Sequence, residues 1–99
     1  MAPVAEKSEI AAVCRRYHVR RLSLFGSAAH GRLTPGSDVD LLVEFDPQNR
    51  PGMVEMQEFE DRLSVIFGGR RVDIVNPKYL NPRLRKRILD EAQVQYGEG

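Results

Sequence analysis

The chain has 99 residues, carries 15 Lys and Arg against 14 Asp and Glu for a net charge of +1, and is 41% hydrophobic. That is enough for one small core and too little for a catalytic domain plus a separate acceptor-binding domain, so a single domain over residues 1–99 is expected. The lone cysteine, Cys14, excludes an internal disulfide or a cysteine zinc site. No apolar run approaches a membrane span, and Met1 to Lys7 lacks a signal-peptide apolar segment, which predicts a cytoplasmic protein with no membrane partner.

In chain order, Ile10, Val13, Cys14 and Tyr17 fall at helical spacing and predict an amphipathic helix from Glu6 to Tyr17, with Cys14 as core filling rather than a nucleophile. Leu22 to Phe25 reads as a first strand. Gly26-Ser27 then opens a short helix over Ala28, Ala29 and His30, and Thr34-Pro35-Gly36-Ser37 is a turn into a second strand, Val39 to Phe45. The breaker cluster Asp46 to Gly52 is a surface loop, with a lid as the alternative. Met56, Phe59, Leu63, Ile66 and Phe67 give a second long helix from Met53, stopped by Gly68-Gly69. Arg71 to Val75 is a third strand, and Asn81-Pro82 starts a last helix expected to run to about Gly97, with a fourth strand conceivable near Val19 or in the tail. The order predicts a small α/β fold, a mixed sheet flanked by helices.

Charge is unevenly spread. Residues 38 to 62 hold eight acids against Arg50 and Arg62, whereas residues 70 to 87 hold seven bases, Arg83 to Arg87 among them, against Asp73. The basic segment would suit nucleic acid, a triphosphate or an acidic protein face. No interleaved aromatics or nucleic-acid motif accompany it, so nucleic acid is not the expected partner.

The chemistry concentrates between Leu22 and Glu44, where Gly26-Ser27 is followed ten residues later by Asp38-Val39-Asp40, the pattern G-S-x10-D-x-D. By composition its four fixed positions coincide about once in a thousand chains of this length. Asp38 and Asp40, two apart at the start of a strand, project to one face and can close on one cation, while Val39, Leu41 and Val43 take the other. Two carboxylates at about 4 Å repel by roughly 4 kcal/mol at a surface dielectric near 20. A divalent cation relieves that, and an oxygen-only donor set favours magnesium or manganese over zinc. Gly26 lets phosphate approach the backbone, and Ser27 can begin a helical turn whose N–H groups face an anion. Asp73 interrupts an otherwise apolar strand, where a buried central position does not take a lone carboxylate cheaply. If that strand lies beside the Asp38-Asp40 strand, Asp73 becomes the third carboxylate of the metal site. Otherwise it faces solvent or pairs with an arginine.

Gly26-Ser27, Gly31 and Ser37-Asp38-Val39-Asp40-Leu41-Leu42-Val43 resemble the signature of the DNA polymerase beta-type nucleotidyltransferase superfamily, and the short chain is similar to its minimal nucleotidyltransferase branch. The resemblance covers residues 20 to 76. It implies a palm-like core and two magnesium ions on Asp38, Asp40 and Asp73, which would be both the metal ligands and the catalytic residues. It further implies a nucleoside triphosphate, taken to be ATP, held at Gly26, Ser27 and Ser37. Where relatives commonly carry a basic residue, this chain has His30, so the resemblance assigns no phosphate contact to His30 or Arg32. It also implies an antitoxin that transfers AMP to a hydroxyl, a tyrosine, of a HEPN-type ribonuclease toxin, in a homo- or hetero-oligomer. The competing readings are an antitoxin or regulatory subunit that only masks its partner, and transfer to a small molecule or to RNA.

Overall fold

The computed structural model describes residues 6–26, 29–31, 34 and 36–97. The elements in order are α1 (Lys7–Arg16), β1 (Val19–Phe25), β2 (Val39–Phe45), α2 (Met53–Ile66), β3 (Val72–Val75), a 3-10 turn (Pro77–Tyr79), α3 (Pro82–Glu91) and β4 (Gln93–Gly97). One four-stranded sheet is formed in the order β3-β2-β1-β4. β1 is antiparallel to both β2 and β4, and β2 is parallel to β3, so the sheet is mixed as expected.

The core lies on one face. Val39, Leu41 and Val43 of β2 and Leu22 of β1 pack with Ile10 and Cys14 of α1 and with Phe59, Leu63 and Phe67 of the α2 segment, all essentially inaccessible. Phe59 is the hub, its ring 5.5 Å from those of both Tyr17 and Phe45 in tilted and edge-on contacts. α1 carries Glu9 in its first turn and Arg15 and Arg16 in its last, each charge placed to complement the helix dipole. α2 stops where the sequence says it must, at Gly68 and Gly69, both with positive φ.

On the opposite face of β2 and β1, Leu42 and Ser23 sit side by side and are also buried. Because β3 and β4 are at opposite edges, the chain from 76 to 92 must cross the sheet. It does so on this second face, where α3 meets β1. Arg85 braces the crossing: its Nε donates to the Pro77 carbonyl at 2.9 Å, and its Nη2 donates to those of Lys78 and Leu80 at 3.1 and 3.2 Å.

Three expectations are corrected. The last helix does not reach Gly97. It ends at Glu91, Ala92 turns extended at ψ 145, and residues 93–97 become β4 because the exposed backbone edge of β1 offers them a ladder. β1 begins at Val19 rather than Leu22. β3 is an edge strand and Asp73 is exposed, so the penalty for a buried lone carboxylate does not apply to it. The short helix expected at Ser27 falls partly on residues outside those described; Ala29 to Gly31 form a turn, with the Ala29 N–H donating to the Gly26 carbonyl at 3.2 Å. Among the described residues no helix is long and apolar enough to cross a membrane.

Candidate active site

The register of three strands builds the site. Phe25 is paired with Asp40 across the antiparallel β1–β2 ladder, and Asp40 with Asp73 across the parallel β2–β3 ladder. One row of the sheet thus reads Phe25, Asp40, Asp73, with adjacent strands about 4.8 Å apart. Asp38 immediately precedes β2, near enough for its charge to act on Asp40. Asp38 and Asp73 are exposed and Asp40 is half-buried between them. Burial, and after it the negative charges of Asp73 and Asp38, push the Asp40 carboxyl above the usual carboxylate range.

Gly26 follows Phe25 and has φ +61, a left-handed backbone that side chains rarely adopt. A Cβ there would stand 2.7 Å from Oδ2 of Asp40. The glycine therefore serves the carboxylate as well as any approaching phosphate, a role the sequence pattern does not reveal. Ser27 and Arg32 lie outside the described residues. Ser37 is already engaged: its Oγ accepts the Thr34 N–H at 3.0 Å and lies 2.7 Å from Thr34 Oγ1, closing the turn ahead of Asp38.

The segment after Gly26 is tied to the C-terminal crossing. Gln93 Nε2 donates to the Ala29 carbonyl, and His30 Nε2 is 3.8 Å from Glu91 Oε2. Nothing local in the sequence marks Gln93 or Glu91 as neighbours of the glycine motif, since both contacts depend on β4 pairing with β1. The loop Asp46–Gly52, by contrast, leaves the far end of β2. Phe45 is five residues along the strand from Asp40, about 17 Å away, so the loop is no lid over the acids. It is held locally by Asp46, which accepts from the Gln48 N–H and the Asn49 side-chain amide, each at 3.0 Å.

Asp38, Asp40 and Asp73 form an oxygen-only donor set that fits a hard divalent cation such as magnesium. Among the described residues no three acidic, histidine or cysteine side chains are placed to hold a metal ion as they stand. The arrangement is instead an open cluster whose mutual repulsion a cation would relieve.

The chain belongs to the nucleotidyltransferase domain family, whose family model matches residues 7–94 and so spans the acids in register on β2 and β3 and the glycine that ends β1. Among its relatives are protein adenylyltransferase MntA of Thermococcus cleftensis, 35% identical over 78% of this chain and 75% of that one, and a Methanocaldococcus jannaschii chain assigned as a protein adenylyltransferase, 39% identical over 77% of this chain and 76% of that one. A solved structure described as a minimal nucleotidyltransferase superposes with a TM-score of 0.72 at 36% identity, covering 87% of this chain and 85% of the other. A toxin-antitoxin structure with AMP-PNP shares the fold at a TM-score of 0.70 and 19% identity, over 94% of this chain and 74% of that one.

Proposed function

We propose that this chain is a magnesium-dependent protein adenylyltransferase acting as a single minimal nucleotidyltransferase domain in the cytoplasm. In this reading it transfers AMP from ATP to a tyrosine hydroxyl of a partner HEPN-type toxin, with which it assembles, and so silences it. The observation that carries the reading is the register that sets Asp73 beside Asp40, with Gly26 ending the strand on the other side. The relatives' names supply the acceptor class: a protein adenylyltransferase in Thermococcus cleftensis, and a toxin-antitoxin pair with AMP-PNP or with an AMPylated HEPN toxin among the structural neighbours.

Asp38 and Asp40, with Asp73, would hold magnesium, which when bound neutralises charge on the carboxylates and on the triphosphate. Gly26 leaves room for the phosphates beside Asp40, and Ser27 and the backbone around it would receive them. Ser37 contributes by closing the turn that presents Asp38 rather than by offering a free hydroxyl. Asp73 is exposed on the edge strand β3, where an acceptor would have access to it. It would orient the tyrosine hydroxyl and accept its proton as the phenolic oxygen bonds to the α-phosphorus and the bond to pyrophosphate breaks. Tyrosine suits this site because its hydroxyl is intrinsically acidic, with a pKa of about 10.

The test is mass spectrometry of the partner after incubation with ATP, magnesium and the wild type or Asp73→Asn. Wild type should add adenylyl-sized mass, and Asp73→Asn should retain nucleotide binding while losing transfer. Neutralisation of the partner without mass gain would replace this reading by steric masking. Mass gain persisting with Asp73→Asn would remove that residue from the mechanism.

A further inference from the structure

Residues 26–38 join β1 to β2, with Gly26 at one end and Asp38 at the other, so the fit between the two halves of the site depends on how this segment is held. Toward its second end Thr34 and Ser37 are tied to each other: beyond the two Ser37 Oγ contacts, the Ser37 N–H donates to the Thr34 carbonyl at 3.0 Å, next to Asp38 in the chain. One side chain reaches this turn from outside. Arg70 donates through Nε to the Thr34 carbonyl at 2.9 Å and through Nη1 to the Phe67 carbonyl at the end of α2 at 2.7 Å. The Arg70 backbone is itself pinned, because its carbonyl accepts from Ser64 Oγ at 2.7 Å, and the next carbonyl, that of Arg71, accepts the Val39 N–H at 2.8 Å. Residues 70–71 are thus anchored to α2 and to the first residue of β2, and the guanidinium ties the turn before Asp38 to the same frame.

We propose that Arg70 is a positioning residue that holds Asp38 in line with Asp40 and Asp73 by strapping the 34–37 turn to the C-terminus of α2. An arginine is suited to this because its planar fork donates in two fixed directions at once, which a lysine ammonium on a flexible stem does not reproduce. Side chains that orient metal ligands from outside the coordination shell typically contribute about 10- to 100-fold in metal affinity or activity. The inference rests on the magnesium reading of the three acids, and its test separates the two.

Wild type, Arg70→Ala and Arg70→Lys would be compared by hydrogen exchange without ligand and by thermal stabilisation across a magnesium titration. Arg70→Ala should accelerate exchange at the Ser37 amide while the amides of Leu41 and Val43 keep their protection, and should raise the magnesium midpoint about tenfold. In transfer assays it should raise KM for magnesium-ATP more than it lowers kcat at saturating magnesium. Arg70→Lys should resemble the alanine variant, and a lysine variant matching wild type would overturn the role of the fork. Unchanged exchange at Ser37 would overturn the strap, and faster exchange with an unchanged magnesium midpoint would overturn its role at the site. If the wild type itself shows no magnesium-dependent shift, the metal reading fails, and exchange at Ser37 alone then decides for or against the strap.

Discussion

Asp40 is where strand register, backbone conformation and charge meet: it is paired with Phe25 and Asp73, faces Gly26, and is destabilised as an anion by burial and by two acids. A carboxyl raised in the folded state binds more protons there than in the unfolded chain, so stability is lost as pH rises from the ordinary carboxylate range through the raised folded value. Asp40→Asn should therefore abolish transfer while gaining stability relative to wild type over that rise, an advantage measurable by denaturant unfolding at a series of pH values and removed by magnesium. An advantage independent of pH would argue against charge as its origin. Asp46 behaves oppositely. The Gln48 N–H and then the Asn49 amide hold its carboxyl below the ordinary range, so what it contributes is present above that range and fades as pH falls through the lowered value. Gly26→Ala should damage the site by pushing on Asp40 Oδ2 and by straining a left-handed backbone, costing about 1 kcal/mol or more of stability together with most transfer activity. Normal turnover by that variant would remove the contact from the account.

At the scale of elements, the first three strands apart from the start of β1, the two core helices and the start of α3 were legible because apolar periodicity, the Gly68-Gly69 stop and the Asn81-Pro82 start are local signals. Placing Asp73 beside Asp40 needed only parallel pairing of β2 and β3, which a crossover helix between them makes natural. β4 was not legible. No glycine or proline separates Glu91 from Gln93, and the apolar spacing of Leu84, Ile88 and Ala92 carries a helical reading onward. Only the open edge of β1 converts the tail to a strand. Within the basic segment the sequence does not show that the Arg85 guanidinium is engaged with three carbonyls around the 3-10 turn. Arg85→Ala should cost about 1–2 kcal/mol, loosening the crossing first, since hydrogen bonds from a charged donor exceed neutral ones in worth. Exchange at Tyr79, Leu80 and Arg85 amides should rise before that of β2; uniform acceleration would mean the crossing does not loosen separately.

The whole molecule divides its labour between the two faces of one sheet. The α1–α2 face holds the aromatic and aliphatic cluster around Phe59, and the other carries Asp40 and Asp73. Damage to the first at Phe59, away from the Ser64 and Phe67 anchors of Arg70, should lower stability without touching substrate affinity. Cys14 provides a reporter, since it is fully buried and burial pushes its thiol up to about 12, with nearby Arg15 only partly offsetting this. Its labelling in the native protein therefore waits on opening of the core. Phe59→Leu removes part of the ring that Tyr17 and Phe45 pack against and should cost about 1–2 kcal/mol. That corresponds to a melting temperature lower by roughly 4–16 °C and to Cys14 labelling faster by about 5- to 30-fold where opening is at equilibrium. KM for ATP, measured well below the melting temperature, should stay at the wild-type value, because Asp40 and Asp73 keep their register through the β2–β3 backbone ladder, and the Arg70 contacts that hold the turn before Asp38 are made at Ser64 and Phe67, further along the chain from Phe59. A raised KM with unchanged labelling would mean the two faces are coupled through β2, and the separation of stability from catalysis would have to be abandoned.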